Sequence, residues 1–87
     1  MRFKDIHLMK GYRFSIGEDM QEGSYFLSIP VANRMADYEE YYRIPQMLVD
    51  GFPGTLETLR AIADKSRRRE NDENLIVPPG TDRGVAS

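Results

Sequence analysis

Residues 24–31 constrain the fold more than any other stretch. In Ser24-Tyr25-Phe26-Leu27-Ser28-Ile29-Pro30-Val31, the residues Tyr25, Leu27, Ile29 and Val31 share one parity, and Ser24, Phe26 and Ser28 the other. Successive strand side chains point to opposite faces, so this alternation predicts a strand with one apolar, buried face. Pro30 has no amide hydrogen, so the far end of the strand is expected to lack a neighbour on its N–H side or to carry a bulge. Asp37 to Ile44 alternates again, with Tyr38, Tyr42 and Ile44 opposite Asp37, Glu39, Tyr41 and Arg43. Earlier, Ile6, Leu8, Tyr12, Phe14 and Ile16 share a parity. That predicts one strand starting near Phe3 and bending at Gly11, where the missing Cβ admits a kink. Connections this short favour a three-stranded antiparallel meander.

Gly17 and Gly23 bracket Glu18-Asp19-Met20-Gln21-Glu22, read as a solvated loop with glycine at each end for positive φ. Pro45 suits the first turn of a short helix through Val49, ended by Gly51-Phe52-Pro53-Gly54. Thr55 is the expected N-cap of the next helix, its hydroxyl accepting from a first-turn N–H. Leu56, Leu59, Ile62, Ala63 and Ser66 then fall on one side of a helix over about 55–70, which should lie across the sheet. Leu75-Ile76-Val77 is read as either a fourth, edge strand or a cover for the core. The fold class predicted is α+β: an antiparallel meander of three strands, or four, packed by a C-terminal helix, with a short helix between. One domain is expected over 1–77, with 78–87, opening on Pro78-Pro79-Gly80, as a tail.

Composition narrows the class. Leu, Ile, Val and Phe make up 20 of 87 residues and the net charge is only −2, which favours a folded globule over a disordered chain. Without cysteine there is no disulfide framework, thiolate zinc site or thiol nucleophile. The longest run free of charge, Gly23 to Asn33, has 11 residues, far short of the roughly 20 apolar residues of a spanning helix. Met1–Gly11 carries Arg2, Lys4, Asp5, His7 and Lys10 where a signal peptide needs an apolar block. A soluble, cytoplasmic protein that does not enter a membrane is expected.

Catalytic parts are scarce. His7 is the only histidine; strand parity points it away from the row of Ile6 and Leu8, and it has no recognisable partner. No serine sits in a Gly-x-Ser-x-Gly elbow, and no phosphate-cradling glycine loop occurs. Glu18, Asp19 and Glu22 lack the rhythm of a calcium loop. Glu39 and Glu40 are adjacent on a strand and point to opposite faces, so they cannot share a substrate. No metal or cofactor is expected, and the balance leans away from an enzyme. Glu40 shares the parity of Tyr38, Tyr42 and Ile44 and would face the core. Three readings follow: an edge position reaching solvent, a salt bridge to a helix arginine such as Arg60 or Arg67, or a binding role.

Charge is unevenly spread. Residues 18–40 hold six acids against Arg34, and residues 60–69 hold five bases against Asp64. The run Arg67-Arg68-Arg69 is read as complementing the helix dipole, with Glu70, Asp72 and Glu73 following to neutralise it. The pI of about 5.3 argues against a nucleic-acid site. Tyr38, Tyr41 and Tyr42 interleave with Asp37, Glu39 and Glu40, and large side chains with polar tips are common at protein interfaces. The face away from the helix would expose Phe26 and Tyr41 beside Asp37 and Glu39, which predicts self-association as a dimer, or binding of another protein, through that face or an open edge.

Residues 29–44, Ile-Pro-Val-Ala-Asn-Arg-Met-Ala-Asp-Tyr-Glu-Glu-Tyr-Tyr-Arg-Ile, together with Arg67-Arg68-Arg69-Glu70 and the stretch from Pro78 to Gly84, resemble short uncharacterised bacterial proteins. The likeness covers about half the chain. It implies a bacterial cytoplasmic origin and names no activity. Two functional classes stand. One is a small interaction module using the aromatic, acidic face formed by Phe26, Asp37, Glu39 and Tyr41, as an immunity or antitoxin-like protein covering a basic active site would. The other is an enzyme or small-ligand binder with a tyrosine-lined pocket between sheet and helix, drawing on Tyr12, Tyr25, Tyr38, Glu40 and Tyr42.

Overall fold

A computed structural model describes residues 1–80 and 83–86 of the chain. Four strands run as an antiparallel meander: β1 (Phe3–Met9), β2 (Phe14–Asp19), β3 (Ser24–Ala32) and β4 (Asp37–Ile44). Two helices follow, α1 (Gln46–Asp50) and α2 (Leu56–Arg67), and a short strand β5 (Val85–Ala86) returns to pair with β3. The fold is α+β, an antiparallel sheet with one main helix across it. No helix among the described residues is long and apolar enough to cross a membrane.

The core lies between the sheet and the helices. Phe14, Ile16, Leu27, Ile29, Val31, Tyr42 and Ile44 meet Val49, Leu59 and Ala63 there. Fully burying Leu59 alone is worth about 2 kcal/mol. The helical face expected from the spacing is the one used, since Leu59, Ala63 and Ser66 are buried while Leu56 and Ile62 are partly so.

The N-terminal half departs from its pattern. The single bent strand is a hairpin: a 3-10 turn at Lys10–Tyr12 and a left-handed Arg13 (φ 59°) reverse the chain between β1 and β2. Glycine or asparagine usually marks such a turn, and arginine at that position hides it. The register of β1 against β2 then slips between Asp5 and His7. This bulge leaves Ile6 and Leu8 exposed and turns His7 inward, its ring 4.5 Å from that of Phe52.

Two other segments are more ordered than expected. Gly17 sits inside β2 rather than opening a loop, and of these two glycines Gly23 alone takes a positive φ, at 72°. Asp19 is buried instead of solvated: it accepts from Arg2 at 3.0 and 3.1 Å and from the backbone N–H groups of Gln21 and Glu22. The Arg2 hydrogen bond holds its carboxyl below the usual range against the opposing effect of burial. Thr55 does not cap α2 through its side chain; its hydroxyl donates to the Leu48 carbonyl at 2.6 Å and ties the two helices together.

The end of the chain is not a free tail. β2 pairs with β3 only as far as Ser28, and β5 takes up the same flank at Val31 and Ala32, with Pro30 in the gap between. Of the expected tail, residues 81, 82 and 87 lie outside the described residues. Leu75–Val77 forms no full strand; a bridge from Leu75 to Tyr42 and an Ile76 N–H to the Tyr41 carbonyl, 2.9 Å, cover the outer edge of β4.

Candidate functional site

Neither helix reaches the far face of the sheet, where Phe3, Phe26 and Tyr41 form a second, smaller cluster. The Phe3 ring lies parallel to that of Tyr41, with centroids 3.8 Å apart and 8° between planes. Phe26 meets both edge-on, at 5.5 and 4.9 Å, a favoured aromatic geometry. These rings come from β1, β3 and β4 and converge over β2 because Gly17 has no side chain. A Cβ there would stand 2.7 Å from Phe26 Cζ and 2.1 Å from the Lys4 carbonyl oxygen. Phe26, expected on an exposed surface, is thereby fully buried. Phe3, which carried no sequence signal, stands over it together with Tyr41.

Electrostatics divide this face. At one end Arg2 lies 4.9 Å from the Phe3 ring centroid and pairs with Asp19 and Glu22, and Arg43 reaches Glu22 at 2.9 Å. At the other end Asp5, Asp37 and Glu39 enter no salt bridge among the described residues. Partial burial, with a smaller contribution from the charge of Asp5, pushes the Glu39 carboxyl above its usual range even though Ser28 hydrogen-bonds it. Burial first, then Glu39 and Asp5, raises the Tyr41 hydroxyl in the same way. Leu8, which is 62% exposed, Lys10, Arg13, Ser15, Pro30 and Glu39 line an open depression of about 280 Å³ beside this end, so two basic side chains stand at its rim. Asp37, Glu39 and Tyr41 thus share one face, joined by Asp5 and Leu8 from β1, which only the bulge and register bring there.

The predicted tyrosine pocket is brought together only in part: Tyr38 and Glu40, with Tyr41 and Val77–Gly80, line an open depression of about 440 Å³, and Tyr12, Tyr25 and Tyr42 are not part of it. Tyr12 sits on the β1–β2 connection with the Arg60 guanidinium 4.6 Å from its ring centroid, and Tyr25 packs against the core. Tyr38 and Tyr42 are committed within the chain: the Tyr38 hydroxyl accepts the Gly84 N–H at 2.7 Å, and the Tyr42 hydroxyl donates to Glu40 at 2.8 Å. Burial and the hydrogen bond to Glu40 hold the Tyr42 hydroxyl far above its ordinary range. Glu40 is buried and its cation is neither Arg60 nor Arg67. It is Arg83, whose guanidinium lies 2.7 and 3.1 Å from the two carboxylate oxygens and 2.8 and 2.9 Å from those of Asp72. The Arg83 hydrogen bond holds Asp72 below the usual carboxylate range.

The arginine run is built into the fold rather than left as a patch. Arg67 donates to the Tyr12 and Arg13 carbonyls at 2.7 Å each, Arg68 pairs with Glu70, and Arg69 donates to the Gly84 carbonyl. Among the described residues no group of three or more His, Asp or Glu stands close enough to hold a metal ion. Comparison with known protein families, with characterised proteins and with solved structures finds no match to this chain. The resemblance carried by residues 29–44 therefore brings no function with it.

Proposed function

We propose that this chain is a protein-interaction module whose helix-free sheet face receives a basic partner. The observation that carries the reading is the set Asp5, Asp37 and Glu39, three acids that enter no salt bridge among the described residues, on the face of Tyr41 and Leu8, against Lys10 and Arg13 at the rim of the depression beside Glu39. A cationic partner relieves that repulsion, whereas a second copy would bring the same acids against it. The edges offer less. β1 is interrupted by a bulge and carries Lys4 and Asp5, and β4 is bridged by Leu75 and Ile76, features that discourage strand-on-strand pairing.

The test places a photo-crosslinking residue at Leu8 of the full chain, expressed in its native host, with and without Asp37→Lys plus Glu39→Lys. The expected result is an adduct through a lysine- or arginine-rich segment, read by mass spectrometry of the crosslinked peptides and lost on charge reversal and at high salt. An adduct to a second copy, or one indifferent to charge reversal, overturns the basic-partner reading.

A further inference from the structure

We propose that the depression between the outer edge of β4 and Val77–Gly80 is a socket for one arginine side chain of the basic partner, an inference that rests on the reading of the helix-free face as that partner's docking surface. The socket exists because a ladder stops. Ile76 donates its N–H to the Tyr41 carbonyl, so the main-chain groups of Tyr41 point away from β3. The pattern repeats every second residue of a strand, and those of Glu39 point the same way. Pro30, which stands opposite Glu39 in β3, has no N–H to offer it. Past Ile76 the covering segment continues as Val77-Pro78-Pro79-Gly80. Two consecutive prolines donate nothing to a neighbouring strand, and between this segment and β4 lies an open wedge of about 440 Å³. Among the described residues no main-chain group meets the Glu39 carbonyl on that side.

The lining selects a cation. Tyr38, Glu39, Glu40 and Tyr41 supply one wall, and Pro78 and Pro79 the other. Glu40 is already held by Arg83. Glu39 accepts from the Ser28 hydroxyl and enters no salt bridge among the described residues. Two other depressions beside Glu39 carry Arg13 at the rim, one of them with Lys10, whereas no basic side chain lines this one. Arginine answers these groups better than lysine. Its planar guanidinium has five N–H donors, enough for the Glu39 carboxylate and the Glu39 carbonyl together, and it lies flat against aromatic rings such as those of Tyr38 and Tyr41. Its aliphatic stem covers the proline wall. An ammonium is a compact, strongly hydrated point charge and makes neither fit.

The arginine comes from a different protein. All nine arginines of this chain are engaged within it, six of them with its own carboxylates, so a second copy would have to give up one of these contacts to fill the socket. Glu39 and Tyr41 belong both to the socket and to the helix-free face. A basic segment lying on that face therefore reaches the socket directly, and the side chain it inserts fixes its position along β4.

The test titrates the full chain with acetyl-arginine-amide, acetyl-lysine-amide and acetyl-citrulline-amide, the last a neutral mimic of arginine, and follows the amide chemical shifts of Glu39, Tyr41 and Gly80. Saturable shifts in the millimolar range are expected for arginine, at least about three-fold weaker binding for lysine, and none for citrulline. The response should vanish in Glu39→Gln and persist in Glu57→Gln, which removes the same charge from α2. Absence of saturable shifts at these amides overturns the socket, as does an equal response to the three compounds or one that survives Glu39→Gln. The photo-crosslink from Leu8 separates the two readings: a silent arginine probe with a basic adduct at Leu8 strikes the socket and leaves the basic-partner face standing, and a responsive probe without that adduct strikes the face and leaves an arginine site.

Discussion

Glu40→Ala should be among the most damaging single substitutions on β4, and Glu39→Ala one step away should be nearly silent. Glu40 is 7% exposed and accepts from Arg83 at 2.7 and 3.1 Å and from the Tyr42 hydroxyl at 2.8 Å. Removing one partner of a buried pair costs about 3–5 kcal/mol. Asp72 remains to hold Arg83, and the site lies at the margin of the core, so the lower end, about 3 kcal/mol, is expected. For a domain of this size each kcal/mol moves the melting midpoint by about 4–8 °C, which gives a drop of about 12–24 °C. Glu39 faces the other way and is exposed, and its alanine variant should stay within about 0.5 kcal/mol of wild type. Thermal and urea unfolding followed by far-UV circular dichroism at pH 7 measure both, and a cycle with Arg83→Ala should return a coupling of about 2 kcal/mol. Equal midpoints for Glu40→Ala and Glu39→Ala would refute the placement of Glu40 in a structural ion pair.

The pH profile should show two opposed contributions. Asp19 and Asp72 have folded pKa values held below normal, so their stabilisation is present above the ordinary carboxylate range and is lost as pH falls through the depressed values, giving acid unfolding in titrations below about pH 4. Glu39 is raised, so folding favours its protonated form and the benefit disappears as pH rises; Glu39→Gln should be more stable than wild type at pH 7 and indistinguishable from it near pH 3. Gly17→Ala drives a Cβ to 2.1 Å from the Lys4 carbonyl and should destabilise by about 1–3 kcal/mol, with hydrogen exchange accelerating first at the amides of β1. Thr55→Val should cost about 1 kcal/mol by removing the hydroxyl bond to Leu48, and Thr55→Ser should recover it in the same unfolding assay.

Local periodicity made much of the fold legible. The alternation at 24–31 and 37–44 and the helical spacing from Leu56 to Ser66 each match one observed element and its buried face, because burying one apolar face imposes a period of two on a strand and 3.6 on a helix wherever the chain lies. The hairpin at Lys10–Arg13 escaped because its left-handed position is held by arginine, and the bulge at Ile6 reversed the faces of β1, so His7 and Leu8 changed places. A one-residue slip leaves the composition unchanged and moves every later side chain to the other face.

By itself, then, the sequence determined which residues form β3, β4 and α2 and which of their faces is apolar, since those properties follow from neighbours a few positions away. Only the tertiary structure decided which charges are paired and which aromatics are covered. Arg83 finds Glu40 across 43 positions, Arg2 finds Asp19 across 17, and Phe3 reaches Tyr41 over a glycine on the strand between. No local pattern encodes such pairings, because they are selected by the energetic penalty for burying a charge or a polar group without a partner, and the partner exists only once the sheet has brought distant segments together.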